Sequence, residues 1–269
     1  MDLSLAKEML IAGLRHGGEV LLHYFGNISQ VRVKDHIGSV VTEADIDAER
    51  EIIRILQMDS GPCNFIAEES GHVNNGSPFT WVIDPLDGTS NFAAGLPWFG
   101  VIIALLHHEE PVMGGMYLPI DNMLYFAEKG KGARRNDLPI RATEASGLEQ
   151  VLISYSFDHS DNPGKTEREM ELLGRLSSRV RNIRSTNSLI DFCFTADGRL
   201  GGAINQSTRI WDIAAPWLVI REAGGEVSDI TGRELKLDLS TGSCDRNYTI
   251  LAAGRRIHPL LRVLTHQEI

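Results

Sequence analysis

Apolar and polar positions recur along this chain with distinct periods, and the periods predict its elements. Leu3, Leu5, Met9, Leu10, Leu14, Leu21 and Leu22 recur on one face of a helix from Leu3 to Tyr24, which Gly17-Gly18 weakens or bends. Val31 to Lys34 alternates like a strand, and Glu43 to about Met58 reads as a second helix. Asn64-Phe65-Ile66-Ala67 is a short strand that delivers Glu68 at its end. Trp81-Val82-Ile83 is another, which Pro85 stops at Asp84 by holding that residue extended. Three longer apolar runs follow, Trp98–Leu106, Pro111–Leu118 and Met123–Phe126, with turns at Glu109-Glu110 and Pro119 to Asn122. They predict an antiparallel meander.

The pattern changes character near residues 138–150. Beyond it, strands at Val151–Ser154, Val180–Ile183 and Gly201–Ile204 alternate with helices near Thr166–Leu176, Ser188–Ala196 and Asp212–Ala223. Strands at Glu226–Asp229 and Tyr248–Ala252 and a helix at His258–Leu264 complete the chain. The reading is an α+β half over residues 1–145 and an α/β half over residues 146–269. No internal repeat or low-complexity tract interrupts it.

Composition narrows the class. The 269 residues provide ample core, with 42% hydrophobic and 23% charged content typical of a globular protein. A net charge of −10 and a pI near 5.4 argue against nucleic acid as the main partner. Cys63, Cys193 and Cys244 form no CxxC pair, so neither a disulfide framework nor a zinc site is expected, and a reducing cytoplasm fits best. The N-terminus lacks a signal-peptide pattern. The longest strongly apolar run, Phe99–Leu106, is too short to span a bilayer, so no membrane partner is expected.

The chemistry is concentrated in Trp81-Val82-Ile83-Asp84-Pro85-Leu86-Asp87-Gly88-Thr89-Ser90-Asn91-Phe92. A turn after Asp84 can bring the Leu86 carbonyl and the Asp87 carboxylate to one side. Gly88 lets a ligand approach the backbone, and Thr89, Ser90 and Asn91 are N-cap residues for a helix whose free N–H groups face the same spot. Carboxylates bind hard cations and a helix N-terminus binds phosphate, so this stretch supplies both halves of a metal-dependent phosphate site. No Lys or Arg occurs between Arg54 and Lys129, although nine acids do, including Glu68, Asp84 and Asp87. Acids gathered there have no local basic partner, and a Mg²⁺-like ion answers the cost of burying them. A solvated acidic loop is the bland alternative; the apolar residues in front of Asp84 weigh against it. The basic turn Lys129 to Asp137 reads as an exposed hairpin. Trp211-Asp212 opens an apolar helix, where the acid taken alone is a cap.

Ala67-Glu68-Glu69-Ser70, the Trp81–Phe92 stretch, and Trp211-Asp212-Ile213-Ala214-Ala215-Pro216 with Glu222-Ala223-Gly224-Gly225 together resemble the inositol monophosphatase family in order and spacing over nearly the whole chain. The resemblance implies a layered αβαβα sandwich of the inositol monophosphatase and fructose-1,6-bisphosphatase type, hydrolysing small phosphate monoesters with two or three Mg²⁺ ions. It implies that Glu68, Asp84 and the Leu86 carbonyl hold one metal, and that Asp84, Asp87 and Asp212 hold a second. Glu68 and Thr89 would orient the attacking water with Asp45 in support, Lys34 would sit at the rim, and Gly88 and Thr89 would offer N–H groups to the phosphate. Lithium inhibition and a homodimer are likewise implied by the family.

On the substrate side Arg184, Ser188 and Asn205, with Asp87, Gly88, Thr89 and Asp212, are the expected contacts. Here the chain departs from the family pattern. Thr186-Asn187-Ser188-Leu189 replaces a Gly-[Ser/Thr]-Ala-Ala turn, Asn205 replaces a sugar-reading Glu, and Leu189 is expected to crowd the ring. Inositol 1-phosphate is the default substrate, with another sugar or polyol phosphate open. Fructose bisphosphate, an adenosine 3′,5′-bisphosphate, or a non-catalytic regulatory role remain as alternatives.

Overall fold

The computed structural model describes residues 1–26, 31–33, 40–58, 61–240, 242, 244 and 246–266, with backbone alone at 31–33 and 40–42. Helix α1 (Leu3–Tyr24) precedes strands β1 (Val31–Val33) and β2 (Val40–Thr42) and helix α2 (Glu43–Gln57). Strands β3 (Asn64–Ala67), β4 (Gly71–Val73) and β5 (Phe79–Asp87) lead into a five-residue helix, α3 (Thr89–Ala93). Strands β6 (Gly100–His107), β7 (Glu110–Leu118), β8 (Met123–Glu128), β9 (Ala133–Arg135) and β10 (Leu138–Pro139) follow. The remainder is β11 (Leu152–Ser156), α4 (Pro163–Ser177), β12 (Asn182–Arg184), α5 (Ile190–Ala196), β13 (Gly202–Thr208) and α6 (Ile210–Glu222), then β14 (Gly225–Ser228), β15 (Tyr248–Gly254) and α7 (His258–Thr265).

Eight strands form one sheet in the order β10-β9-β8-β7-β6-β5-β3-β4. All its neighbours are antiparallel except β3 and β5, so the expected meander is present. A second sheet runs β12-β11-β13-β15-β14, with β12, β11 and β13 parallel and β15 antiparallel to both its neighbours. Helices α1 and α2 cover one face of the large sheet. Helices α5 and α6 fill the space between the sheets, and α4 and α7 cover the outer face of the small one. This is the αβαβα sandwich, and it explains the all-apolar runs. On β6, Val101, Ile103 and Leu105 enter the α1/α2 core, while Ile102, Ala104 and Leu106 enter the core against α6. A strand covered on both faces has no polar side to alternate with.

Three details differ from the pattern-based reading. Strand β5 does not stop at Asp84. It continues to Asp87 through a register shift between Asp84 and Asp87, because a bulge accommodates the missing N–H of Pro85. Helix α1 is uninterrupted at Gly17-Gly18. A Cβ on Gly17 would lie 2.8 Å from Ile52 Cδ1, and one on Gly18 would lie 2.6 Å from the Tyr117 ring, so these glycines allow close helix and sheet approach. The third is β4, an edge strand the sequence pattern does not signal. The basic turn is a hairpin, β9–β10, with Asn136 and Asp137 both at positive φ at its tip. Lys34 lies outside the described residues.

Candidate functional site

Adjacent parallel strands bring the first two acids together. Ala67 pairs with Ile83, and the Glu68 N–H donates to the Ile83 carbonyl at 3.2 Å, so Glu68 leaves β3 beside Asp84 on β5. The Glu68 carboxyl adds to the effect of burial in raising the pKa of Asp84. After the bulge, Asp87 ends β5, and Asp84 Oδ1 accepts the Leu86 N–H at 3.0 Å, fixing the turn. Asp212 arrives from the other half of the chain, on the first turn of α6 between the sheets. Its Oδ2 accepts the Arg209 N–H at 2.7 Å, so it does cap its helix, as an isolated acid there would. Pro216, four residues on, has no N–H to return to the Asp212 carbonyl. Asp87 also ties the halves together, accepting the Leu189 N–H through Oδ1.

Asp84, Asp87 and Asp212 each offer an oxygen within 4.8 Å of the others. Burial, reinforced by the neighbouring carboxylates, pushes Asp84 and Asp87 well above the usual carboxylate range and Asp212 up to about 7. Among the described residues no Lys or Arg lines the cavity they floor. Oxygen-only donors, clustered, buried or half-buried, and without a basic side chain among the described lining residues, match a hard divalent cation. The residues present therefore fit the metal that the sequence implies.

Thr89 is not the cap of α3. Gly88 occupies that position at φ +86, with no side-chain cap. Thr89 Oγ1 instead lies 2.8 Å from the Leu86 carbonyl and 3.3 Å from Oδ1 of Asp45, a buried residue on the first turn of α2. Gly88 also has a packing reason beyond ligand approach: a Cβ there would sit 2.5 Å from the Trp98 carbonyl and 3.1 Å from Ser188 Cβ. Asn91 donates its side-chain amide to the carbonyls of Trp98 and Thr186, so the first turn of α3 is anchored to the turn before α5.

The cavity, about 160 Å³, brings Glu68, Asp84, Leu86, Asp87, Gly88, Thr89, Ser188, Asn205 and Asp212 together. Asp45 stands behind it through Thr89. Arg184 is not among the lining residues; its guanidinium turns back to the Ile183 carbonyl at 2.8 Å. Leu189 does not crowd the wall either. It is fully buried in the core between the sheets. Asn205 Oδ1 accepts the Ser207 N–H at 2.9 Å, which fixes the orientation of its amide.

Asn187, from the altered turn, also lines the cavity, as do Ser156, Asp158, Asp191 and Ser207, which were not singled out from the sequence. The carboxyl end of β11 and the register that pairs Ser156 with Asn205 place Ser156, Asp158 and Ser207 there, and the entry to α5 supplies Asn187 and Asp191. Asp191, buried at the start of α5 and accepting the Ser156 hydroxyl at 3.0 Å, did leave a signal: an acid inside the apolar run Leu189 to Phe194. Burial holds its carboxyl above the usual range.

Comparison with known proteins agrees with this geometry. The profile of the Inositol monophosphatase family matches residues 3–267. An inositol-1-monophosphatase of Synechocystis sp. is 35% identical over 95% of this chain and 85% of its own length. A fructose-1,6-bisphosphatase/inositol-1-monophosphatase of Thermotoga maritima is 33% identical over 82% of this chain and 83% of its own. The crystal structure of the extragenic suppressor protein suhB from Bartonella henselae superposes with a TM-score of 0.88 at 30% identity, covering 98% of this chain and 99% of that one.

Proposed function

Because the chain belongs to the inositol monophosphatase family, we propose that it hydrolyses inositol 1-phosphate or a related sugar or polyol phosphate with Mg²⁺ as its cation. The observation that carries this reading is the cluster of buried Asp84 with half-buried Asp87 and Asp212, whose oxygens converge within 4.8 Å in a cavity that no Lys or Arg among the described residues lines. In this reading Glu68, Asp84, Asp87, Asp212 and the Leu86 carbonyl hold two or three ions. Bound there, the cations neutralise phosphate charge and make water a better nucleophile.

The chain's own groups do the positioning. Thr89 Oγ1 is held between the Leu86 carbonyl and the Asp45 carboxylate, so its single proton is taken by one of these acceptors and a lone pair is left for a water. Glu68, beside Asp84, aligns that water from the other side. The N–H groups at Gly88 and Thr89 open α3 before its first internal bond, from Phe92 N–H to the Gly88 carbonyl at 2.9 Å, and are the donors for the phosphate. Ser156, Ser188, Asn205 and Ser207 face the alcohol half of the substrate. Arg184 reaches it only by leaving the Ile183 carbonyl. A second phosphate is disfavoured, since Asp158 and Asp191 line the cavity and no cation among the described residues does.

A phosphate-release screen tests this, using inositol 1-phosphate, other polyol phosphates, fructose 1,6-bisphosphate and adenosine 3′,5′-bisphosphate. Turnover of a monophosphate that disappears with chelator and returns with Mg²⁺ is the expected result. Undiminished turnover in excess chelator, or no release from any monophosphate, overturns it.

A further inference from the structure

On this acidic chain, cations gather at one place that the catalytic reading does not use. A cavity of about 610 Å³ opens at the seam where the β9–β10 hairpin, the segment after it, the C-terminal end of α6 and the β15–α7 turn meet. Lys131, Arg134, Arg141, Arg255 and Arg256 line it, against two acids, Glu144 and Glu222. Glu222 is already committed, since its two oxygens accept the Gly130 and Gly132 N–H groups at 2.8 Å each. Lys131 pairs with Glu128 at 2.6 Å and Arg255 approaches Glu226 at 3.7 Å. Among the described residues Arg134, Arg141 and Arg256 form no ion pair, and the Arg134 guanidinium bonds only the Asp137 carbonyl, at 2.9 Å.

Three guanidinium groups that form no ion pair among the described residues, from three separate segments, line a cavity they share with Glu144, in a protein whose net charge is −10. The walls are set in advance. The Glu222 clamp fixes the 129–132 loop to the end of α6, and the Ala142 N–H donates to the Ala223 carbonyl at 3.0 Å. Arg134, Arg141 and Arg256 are exposed; guanidinium groups match phosphate oxygens two at a time, and the fixed backbone frame brings them to one opening.

We propose that this cavity binds a small polyphosphate-bearing compound, of the nucleoside diphosphate class, at a site separate from the catalytic carboxylates. The size of the cavity accommodates such a molecule, and the acidic surface elsewhere repels an extended polyanion such as nucleic acid. Asp212 and Glu222 stand ten residues apart on α6, about 15 Å along the axis, so the two sites do not overlap.

The test is calorimetric titration of the full chain with ADP at low salt in chelator, where the uncompensated catalytic carboxylates repel phosphate. One ADP per chain should bind, with affinity falling as salt rises, and adenosine should not bind. The double variant Arg141→Gln/Arg256→Gln should weaken ADP at least tenfold while leaving phosphate release at the catalytic site unchanged. Arg50→Gln/Arg54→Gln, which removes two exposed cations from α2, should leave ADP binding as it was. The proposal fails if wild type shows no ADP binding up to millimolar, if adenosine binds as well, or if both double variants weaken binding alike. It also fails if a short RNA oligonucleotide competes far better than ADP, which would make the cavity part of a nucleic-acid surface.

Discussion

At the scale of single residues, the site separates charge that must be neutralised from hydrogen bonds that must be read. Asp87 belongs to the first group: it is half-buried among acids, and it also receives the Leu189 N–H. Asp87→Asn keeps the volume and removes one charge. Turnover should fall by several orders of magnitude, and the rise in melting temperature that Mg²⁺ gives wild type should shrink, since a cation that binds only the folded chain adds stability by mass action. A variant with the full Mg²⁺ shift would remove Asp87 from the metal set. Asn205 belongs to the second group. Its carbonyl oxygen already accepts the Ser207 N–H, so it offers a sugar hydroxyl amide donors and no charged acceptor. Asn205→Glu should raise kcat/KM for inositol 1-phosphate relative to the best native substrate by roughly tenfold or more, because a charged hydrogen bond is worth about 1.5–3 kcal/mol. An unchanged ratio would show that Asn205 does not read the sugar. Leu189→Ala, by contrast, empties core volume and relaxes no wall. It should cost about 2–5 kcal/mol in urea unfolding and leave substrate preference unmoved.

At the scale of elements, close approach decides what local propensity does not. In an isolated helix, alanine at Gly18 would add roughly 1 kcal/mol of stability. In α1 its Cβ would meet the Tyr117 ring at 2.6 Å and Pro119 Cβ at 3.3 Å, and an aromatic ring in a packed core has little room to yield. Gly18→Ala should therefore lower stability by about 1–3 kcal/mol, read from the urea midpoint. A gain instead would mean that α1 can lift off the sheet without loss. The bulge in β5 is the other element-level device. It lets one strand carry Asp84, take a proline, and still turn Asp87 into the same cluster.

At the scale of the whole molecule, buried titratable groups away from the site couple stability to pH. His258 opens α7, nearly buried, with Nε2 2.9 Å from Ser228 Oγ, and the Ser228 hydroxyl donates to the Asp229 carbonyl. Burial lowers its pKa below 6.5; Arg262 acts in the same direction, and Glu226 opposes both. The unfolded chain thus takes up a proton near pH 6.5 that the native chain still refuses. The contribution of His258 is complete above that pH and is lost as pH falls toward the lower native value, at no more than about 1.4 kcal/mol per pH unit. His258→Gln should flatten the dependence of unfolding free energy on pH between 7 and 5, measured by denaturant titration. An equal slope in both proteins would assign the acid sensitivity to other groups.

The sequence by itself determined most of the elements, the layered class, and the acids of the candidate centre. Apolar period reports which faces are covered, and a run such as Val101 to Leu106 has no solvated face to signal. The Trp81–Phe92 stretch carries its chemistry within twelve consecutive residues, so Asp84, Asp87, Gly88 and Thr89 were legible without any fold. Tertiary structure alone decided the rest. Whether Leu189 faces a ligand or the core depends on where α5 lies between two sheets. The outward turn of Arg184, the occupied carbonyl of Asn205, and the gathering of Ser156, Asp158, Asp191 and Ser207 into one wall depend on a strand register and on bonds between distant segments. The same is true of the unpaired arginines, which come from three segments that only the meeting of hairpin, α6 and β15 brings together. Period is a local property of the chain, whereas the direction of a side chain at a seam is set by partners far away in sequence.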